Sequence, residues 1–317
     1  MSTPVVLTVG GLSPFLEAEL APFRLVRASA DLDWTAELAA QADAVRVIVT
    51  GGSRRLPPAW LDRFPGLELI AVHGVGTDGI DIPAMIARGV AVSNTPDVLT
   101  ADVAELAIGL LLAVLRRIAA NDRFVREGSW GGTRSPPLGS RLAGRRVGLL
   151  GAGRIGRAIA RRLIPFDVGL FYASRGPHPD LPYPRERSAA ELARAVDILI
   201  VSVSGGDETR GLVNAPVLQS LGPEGLLVNV ARGSVVDEGG LLEALREKRI
   251  AGAGLDVFED EPASAARFAG FDTVVLQPHQ GSATAEARRA MAALVRANLD
   301  AWFAEGRLVT PVATAQD

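Results

Sequence analysis

The stretch VGLLGAGRIGRAIA, residues 147–160, limits the possible folds of this chain more than any other. An apolar run ends at Gly151. Gly153 and Gly156 complete a G-x-G-x-x-G spacing, and a helical pattern opens at Arg154 and Ile155. The first glycine permits a tight turn, the second lets backbone approach a pyrophosphate, and the third lets helix and strand pack closely. Alone the pattern is weak, but in a strand-turn-helix setting it marks a βαβ unit that binds a dinucleotide. Gly151, Gly153, Arg154, Ile155 and Gly156 are therefore candidate cofactor-binding residues.

The flanking sequence has the same character. After RRVGLL come VGLFYAS, VDILIVSVS, GLLVNVA, AGAGLDV and TVVLQP, six buried-strand signals in succession, as a doubly wound parallel sheet requires. An earlier series, VVLTV, VRVIV and LELIAV, alternates with Ala/Leu-rich helical stretches and predicts a second sheet of the same kind. With 317 residues, 48% of them hydrophobic, the chain has material for two cores. The expected fold is α/β with two doubly wound parallel-sheet, Rossmann-like domains. SNTPDVLT reads as the crossing between them, followed by a long helix from Ala101 to about Ala119. The helical stretch ATAEARRAMAALVRANLDAWFAEG is expected to return to the first domain, making it discontinuous: residues 1–98 and 285–317 around a dinucleotide-binding domain of residues 99–284.

About 20 residues beyond the glycines, where a carboxylate would bind the ribose hydroxyls of NAD, the strand instead ends in Tyr172, Ala173, Ser174 and Arg175. An acid there would repel a 2'-phosphate, whereas arginine pairs with one and serine donates a hydrogen bond. Ser174 and Arg175 therefore point to NADP(H), with NAD(H) also possible; the alternative is that Arg175 is a solvated loop residue and the site is indifferent.

Composition excludes several other classes. A net charge of -3 without a basic block gives no footprint for nucleic acid. The absence of cysteine rules out disulfides, thiolate metal sites and a cysteine nucleophile, and fits the cytoplasm. The longest apolar stretch, AELAIGLLLAVL, carries Glu105 and is too short to span a bilayer, so no membrane association is expected; no metal site is expected either. Lys248 is the sole lysine and reads as a solvated helix residue.

Three polar stations each lie just past a predicted strand, where open α/β sheets meet ligands: Arg232 in VNVARGSVVDE, Glu261 in LDVFEDEP and His279 in LQPHQGSAT. Reduction of a 2-keto acid needs such types, a guanidinium for the carboxylate, an imidazolium to protonate the oxygen and a carboxylate to hold the imidazole. From the residues alone each stays ambiguous, because a lone histidine or a post-strand arginine is more often structural.

The segments VSNTPDVLTADVAELAIGLLLAVLRR, GLLGAGRIGRAIA, VNVARG, GLDVFEDEP and PHQGSAT, in this order, resemble the D-isomer-specific 2-hydroxyacid dehydrogenases over nearly the whole chain. Within that family the similarity is greatest to NADPH-preferring glyoxylate/hydroxypyruvate reductases. The resemblance implies that Arg232, Glu261 and His279 are catalytic and that Asp256 helps position the nicotinamide. It also implies that the backbone of Gly74, Val75 and Gly76 in a discontinuous substrate-binding domain receives the carboxylate of a small 2-keto or 2-hydroxy acid. A homodimer joined through the Ala101 helix and the following arm is implied likewise. His73 departs from the small residue usual there and is open to substrate contact or loop packing; His178 reads as a surface residue. The polar stretch GGTRSPPLGSRLAG offers no equivalent of the aromatic that several relatives place over a partner's site. Phosphoglycerate or another D-2-hydroxyacid dehydrogenation with NAD, and a dinucleotide-sensing protein of the corepressor type, are the alternatives.

Overall fold

Alternating apolar side chains along five parallel strands build the sheet of the first unit in the computed structural model, which describes residues 4–133 and 135–313. Residues 1–3 and 314–317, the ends of the first expected domain, and Arg134 of the polar stretch lie outside the described residues. The chain divides into two units, Met1–Leu99 with Ala283–Asp317, and Thr100–Ser282.

In the first unit the strands are β1 (Val5–Val9), β2 (Arg24–Ala28), β3 (Val45–Thr50), β4 (Leu69–Val72) and β5 (Ala91–Ser93). They run in the order β5-β4-β3-β1-β2, and the short strand Pro311–Ala313 adds antiparallel to β5. Successive side chains take opposite faces. Val6, Val47, Val49, Leu69 and Ala71 face Leu16, Leu20, Ala292, Val295 and Leu299. Leu7, Ile48, Ile70 and Val72 face Leu38, Trp60, Phe64 and Met85. The Ala285–Glu305 helix thus belongs to this unit, and Thr284 caps it by accepting the Ala287 N–H at 3.0 Å.

The second unit holds β6 (Arg146–Leu150), β7 (Gly169–Ala173), β8 (Arg185–Glu186), β9 (Ile198–Val201), β10 (Leu226–Asn229), β11 (Gly252–Leu255) and β12 (Val274–Leu276). The order β12-β11-β10-β9-β6-β7-β8 is parallel throughout and reverses direction at β6, the switch point where such sheets bind ligands. The six strands expected from sequence are present; β8 is a two-residue addition too short to leave a pattern.

On one face, Leu192, Leu218 and Leu241 are fully or nearly fully buried over Leu199, Leu227 and Ala253, each leucine contributing about 1.5–3 kcal/mol. On the other, the Thr100–Leu115 helix crosses the glycines of β11, and a Cβ at Gly254 would lie 3.0 Å from that of Leu110. This helix is shorter than the expected Ala101–Ala119. Arg117 adopts a left-handed φ of 54°, which ends it and starts a separate Ile118–Arg126 helix. Lys248 likewise lies past the end of its helix, Glu238–Arg246, with φ 56°.

Candidate active site

Arg232, Glu261 and His279 follow β10, β11 and β12, three adjacent strands, so the parallel register carries them to one end of the sheet. Glu261 links the group. Its Oε2 lies 2.8 Å from His279 Nδ1, and its Oε1 accepts the Phe258 N–H at 3.0 Å. Burial alone would raise the Glu261 carboxyl. The His279 hydrogen bond, the Phe258 N–H and the charges of His279 and Arg232 outweigh it and hold the group below its ordinary value. With Nδ1 engaged, Nε2 is the ring nitrogen turned away from the carboxylate.

The Arg232 loop is fixed locally. Asn229 accepts the Ala231 N–H and donates its amide to the Arg232 carbonyl, each at 3.0 Å, while the Arg232 guanidinium donates to the Ala231 carbonyl at 2.8 Å. Gly233 decides how close this loop comes to the Glu261 loop, since a Cβ there would fall 1.8 Å from the Phe258 carbonyl carbon. An arginine followed by glycine was thus a readable signal for that approach.

Asp256 is 2% exposed, and its carboxylate accepts the N–H groups of Gln280 at 2.6 Å and Gly281 at 2.8 Å. Burial pushes this carboxyl above the usual range, against those two N–H groups and the charge of His279. His279 itself has φ 54°, the left-handed region that a non-glycine residue adopts only when its surroundings impose it. The Asp256 side chain is therefore committed to holding the histidine's turn.

At the switch point, Gly151 has φ 106°, and a Cβ on Gly156 would stand 2.1 Å from the Gly151 carbonyl oxygen. Both positions thus demand glycine for internal reasons. Gly153 differs: a Cβ there would meet nothing within 4 Å, which leaves open space in front of the Arg154–Leu163 helix that begins with Arg154, Ile155 and Gly156. That open cradle at a helix N-terminus fits a pyrophosphate.

The end of β7 lies alongside, with the Gly151 N–H donating to the Ala173 carbonyl at 2.9 Å. The Arg175 side chain is 94% exposed and approaches Glu208, itself 80% exposed, at 3.4 Å. The Ser174 hydroxyl donates to the Gly176 carbonyl at 2.6 Å. Arg185, absent from the sequence-based set, braces this turn by donating to the Ser174 and Arg175 carbonyls. His178 is half-buried rather than a surface residue, because its Nδ1 meets Arg157 at 2.8 Å and its N–H donates to the Tyr172 hydroxyl.

In the first unit, Gly74, Val75 and Gly76 follow β4. The Gly74 carbonyl accepts the Thr95 N–H and the Val75 carbonyl accepts the Asn94 amide, both at 2.8 Å. In a trans peptide the N–H points opposite to its carbonyl, so the Val75 and Gly76 N–H groups face away from these anchors. Sequence reasoning missed Asn94 and Thr95, whose part depends on the pairing of β4 with β5.

Among the described residues no cluster of His, Cys, Asp and Glu could hold a metal ion, and no helix is long and apolar enough to cross a membrane. Two parallel α/β sheets, one with a dinucleotide turn at its switch point and a carboxylate-histidine pair on neighbouring strand ends, define a nicotinamide-dependent oxidoreductase. Residues 108–281 match the family model described as D-isomer specific 2-hydroxyacid dehydrogenase, NAD binding domain. The chain is 42% identical to 2-ketogluconate reductase of Gluconobacter oxydans, covering 98% of this chain and 99% of that one. It is 44% identical to hydroxyphenylpyruvate reductase of Plectranthus scutellarioides, covering 97% and 98%. An NADPH-dependent glyoxylate/hydroxypyruvate reductase from Sinorhizobium meliloti, solved with NADP and malonate, superposes with a TM-score of 0.92 at 45% identity, covering 99% of this chain and 98% of that one. The chain belongs to the D-isomer specific 2-hydroxyacid dehydrogenase family.

Proposed function

We propose that this enzyme reduces small 2-keto acids, glyoxylate and hydroxypyruvate foremost, to D-2-hydroxy acids, with NADP(H) preferred over NAD(H) and His279 as the proton donor. The observation that carries this reading is the 2.8 Å pairing of His279 Nδ1 with Glu261, which presents Nε2 outward. When bound, the reduced nicotinamide supplies a hydride to C2 of the substrate. As that bond forms, the carbonyl π pair moves onto oxygen, and His279 Nε2–H delivers its proton there, leaving a neutral imidazole and a hydroxyl group. Arg232 holds the substrate carboxylate and polarises the ketone; in the first unit, the outward N–H groups of Gly74, Val75 and Gly76 are substrate-carboxylate donors.

Residues 1–98 with 285–317 then serve as the substrate domain and 99–284 as the cofactor domain. Gly151, Gly153, Arg154, Ile155 and Gly156 receive the pyrophosphate, while Ser174 and the solvated Arg175 receive the 2'-phosphate. Asp256 supports the site through the His279 turn. The NADPH-dependent relative from Sinorhizobium meliloti supports the cofactor preference, which also weighs against NAD-linked phosphoglycerate oxidation.

Ile118, Val125, Trp130 and Leu138 are 53%, 50%, 78% and 96% exposed, an apolar set that supports a homodimer through the helical segment that starts at Ala101 and the arm that follows it. Sedimentation equilibrium tests it, with a monomer at micromolar concentration counting against it. The cysteine-free sequence supports a cytoplasmic setting.

The deciding experiment compares initial rates of glyoxylate, hydroxypyruvate and phenylpyruvate reduction with NADPH and NADH. Sustained turnover of the first two with NADPH is expected. Dinucleotide binding without turnover would instead favour the sensing protein.

A further inference from the structure

Arg157 follows the last fingerprint glycine on the Arg154–Leu163 helix, and its N–H donates to the Gly153 carbonyl at 3.0 Å. Its side chain ties together two strand ends. Nε turns back to the glycine turn and donates at 3.0 Å to the carbonyl of Ala152, the residue between Gly151 and Gly153. The far side of the guanidinium reaches the loop that follows β7. Nη2 lies 2.8 Å from His178 Nδ1 and 3.2 Å from Asp180 Oδ1, while Nη1 pairs with Asp180 Oδ2. Arginine only donates, so His178 Nδ1 accepts.

That loop opens with Ser174 and Arg175. Arg185 holds its near limb, donating to the Ser174 carbonyl at 2.9 Å and to the Arg175 carbonyl at 3.3 Å. The far limb is held by Arg157 and by the His178 N–H, which donates at 3.1 Å to the hydroxyl of Tyr172, a residue only 3% exposed. Arg175 has a solvated side chain, so its placement depends on this backbone. On a loosened loop it would have to be ordered again whenever a phosphate bound, at an entropic cost. Asp180 spans both Nη atoms of Arg157, which neutralises the guanidinium and makes it a brace between loop and turn.

We propose that Arg157 is a positioning residue for cofactor choice: it fixes the 174–180 loop to the glycine turn and so sets Arg175 for the 2'-phosphate of NADP(H), without itself touching that phosphate. This role rests on the reading of Ser174 and Arg175 as the 2'-phosphate site. The Ala152 bond serves the pyrophosphate turn, which both dinucleotides use, so its loss cancels in the ratio of their affinities. The His178 and Asp180 bonds serve the loop, and their loss does not cancel.

The test is fluorescence titration of wild type, Arg157→Met, Arg175→Ala and the double variant with NADPH and with NADH. In Arg157→Met the ratio of NADPH to NADH affinity is expected to fall about fivefold, the lower end of what ordering one backbone residue costs. Arg157→Lys should restore part of it. In the Arg175→Ala background the Arg157→Met change should leave the ratio where it stands, because the group that Arg157 positions is gone. An unchanged ratio in Arg157→Met overturns the proposal. An undiminished fall in the double variant also overturns it, since Arg157 would then meet the phosphate itself. If Arg175→Ala keeps the wild-type ratio, the reading of Arg175 fails and this role fails with it; a fall in Arg175→Ala without one in Arg157→Met counts against Arg157 alone. Should Arg157→Met fail to fold, His178→Ala decides: a smaller fall is expected, and an unchanged ratio overturns the role.

Discussion

The N–H of His279 donates to the carbonyl of Asp256 at 2.8 Å, and the Asp256 carboxylate takes the next two N–H groups along the chain. One residue thus clamps three consecutive amides of a turn whose histidine sits at φ 54°. The catalytic orientation proposed for His279 is imposed by this clamp together with Glu261.

Asp256→Ala is therefore expected to leave cofactor affinity within a few-fold of wild type while kcat for glyoxylate falls on the order of 100-fold, the effect of a displaced catalytic group. Stability should drop as well, by about 1–3 kcal/mol for each N–H left without an acceptor. Stopped-flow turnover and urea denaturation check the two effects. A fall in cofactor affinity with kcat intact would instead assign Asp256 to the nicotinamide.

His279→Gln should lower kcat by about 10²–10⁴, the range of general acid catalysis, with NADPH binding retained. Reduction consumes the proton on Nε2, so the wild-type rate declines toward alkaline pH. The Glu261 carboxyl is held below its ordinary value in the folded protein, so its stabilisation is full above the unfolded carboxylate range and is lost as pH falls through the depressed value. A pH–rate profile of single-turnover reduction measures the first effect, and acid denaturation of wild type against Glu261→Gln measures the second.

Arg175→Ala should raise KM for NADPH about tenfold and leave NADH unaffected; a larger effect is not expected from so solvated a guanidinium. For the same reason the wild-type preference should narrow as ionic strength rises. Parallel initial-rate series at low and high salt test both expectations.

The fingerprint glycines separate cleanly. Gly153→Ala adds a methyl to open space, so Tm should hold while NADPH affinity falls. Gly156→Ala drives a methyl against the Gly151 carbonyl, 2.1 Å away, so the fold itself should lose stability. Thermal melts with and without NADPH distinguish the two variants.

Burial, with the Arg288 charge adding to it, brings His73 down to about 4 from 6.5. The unfolded chain therefore takes up a proton below about pH 6.5 that the folded chain resists until about 4. This group's contribution to stability declines across that window as pH falls. His73→Asn should show a smaller drop in Tm between the two ends of the window than wild type.

Much of this molecule could be read from local pattern. GAGRIG shows its strand, turn and helix because glycine spacing and apolar periodicity act over a few residues, and Tyr172 to Arg175 show a missing acid in the same way. The break at Arg117 left no such trace, since apolar periodicity continues through it while the backbone turns left-handed. His178 looked solvated until Tyr172 and Arg157 were found against it.

The sequence by itself determined the α/β class, the dinucleotide turn and the residue types that a keto-acid reductase needs, because each is written in contiguous or regularly spaced positions. Only the tertiary structure decided which side chains meet. Glu261 reaches His279, and Asp256 clamps the turn that follows β12, because parallel strand register aligns residues far apart in the chain. Those alignments rest on the whole of each sheet, since a shift of one residue in pairing would send each side chain to the opposite face.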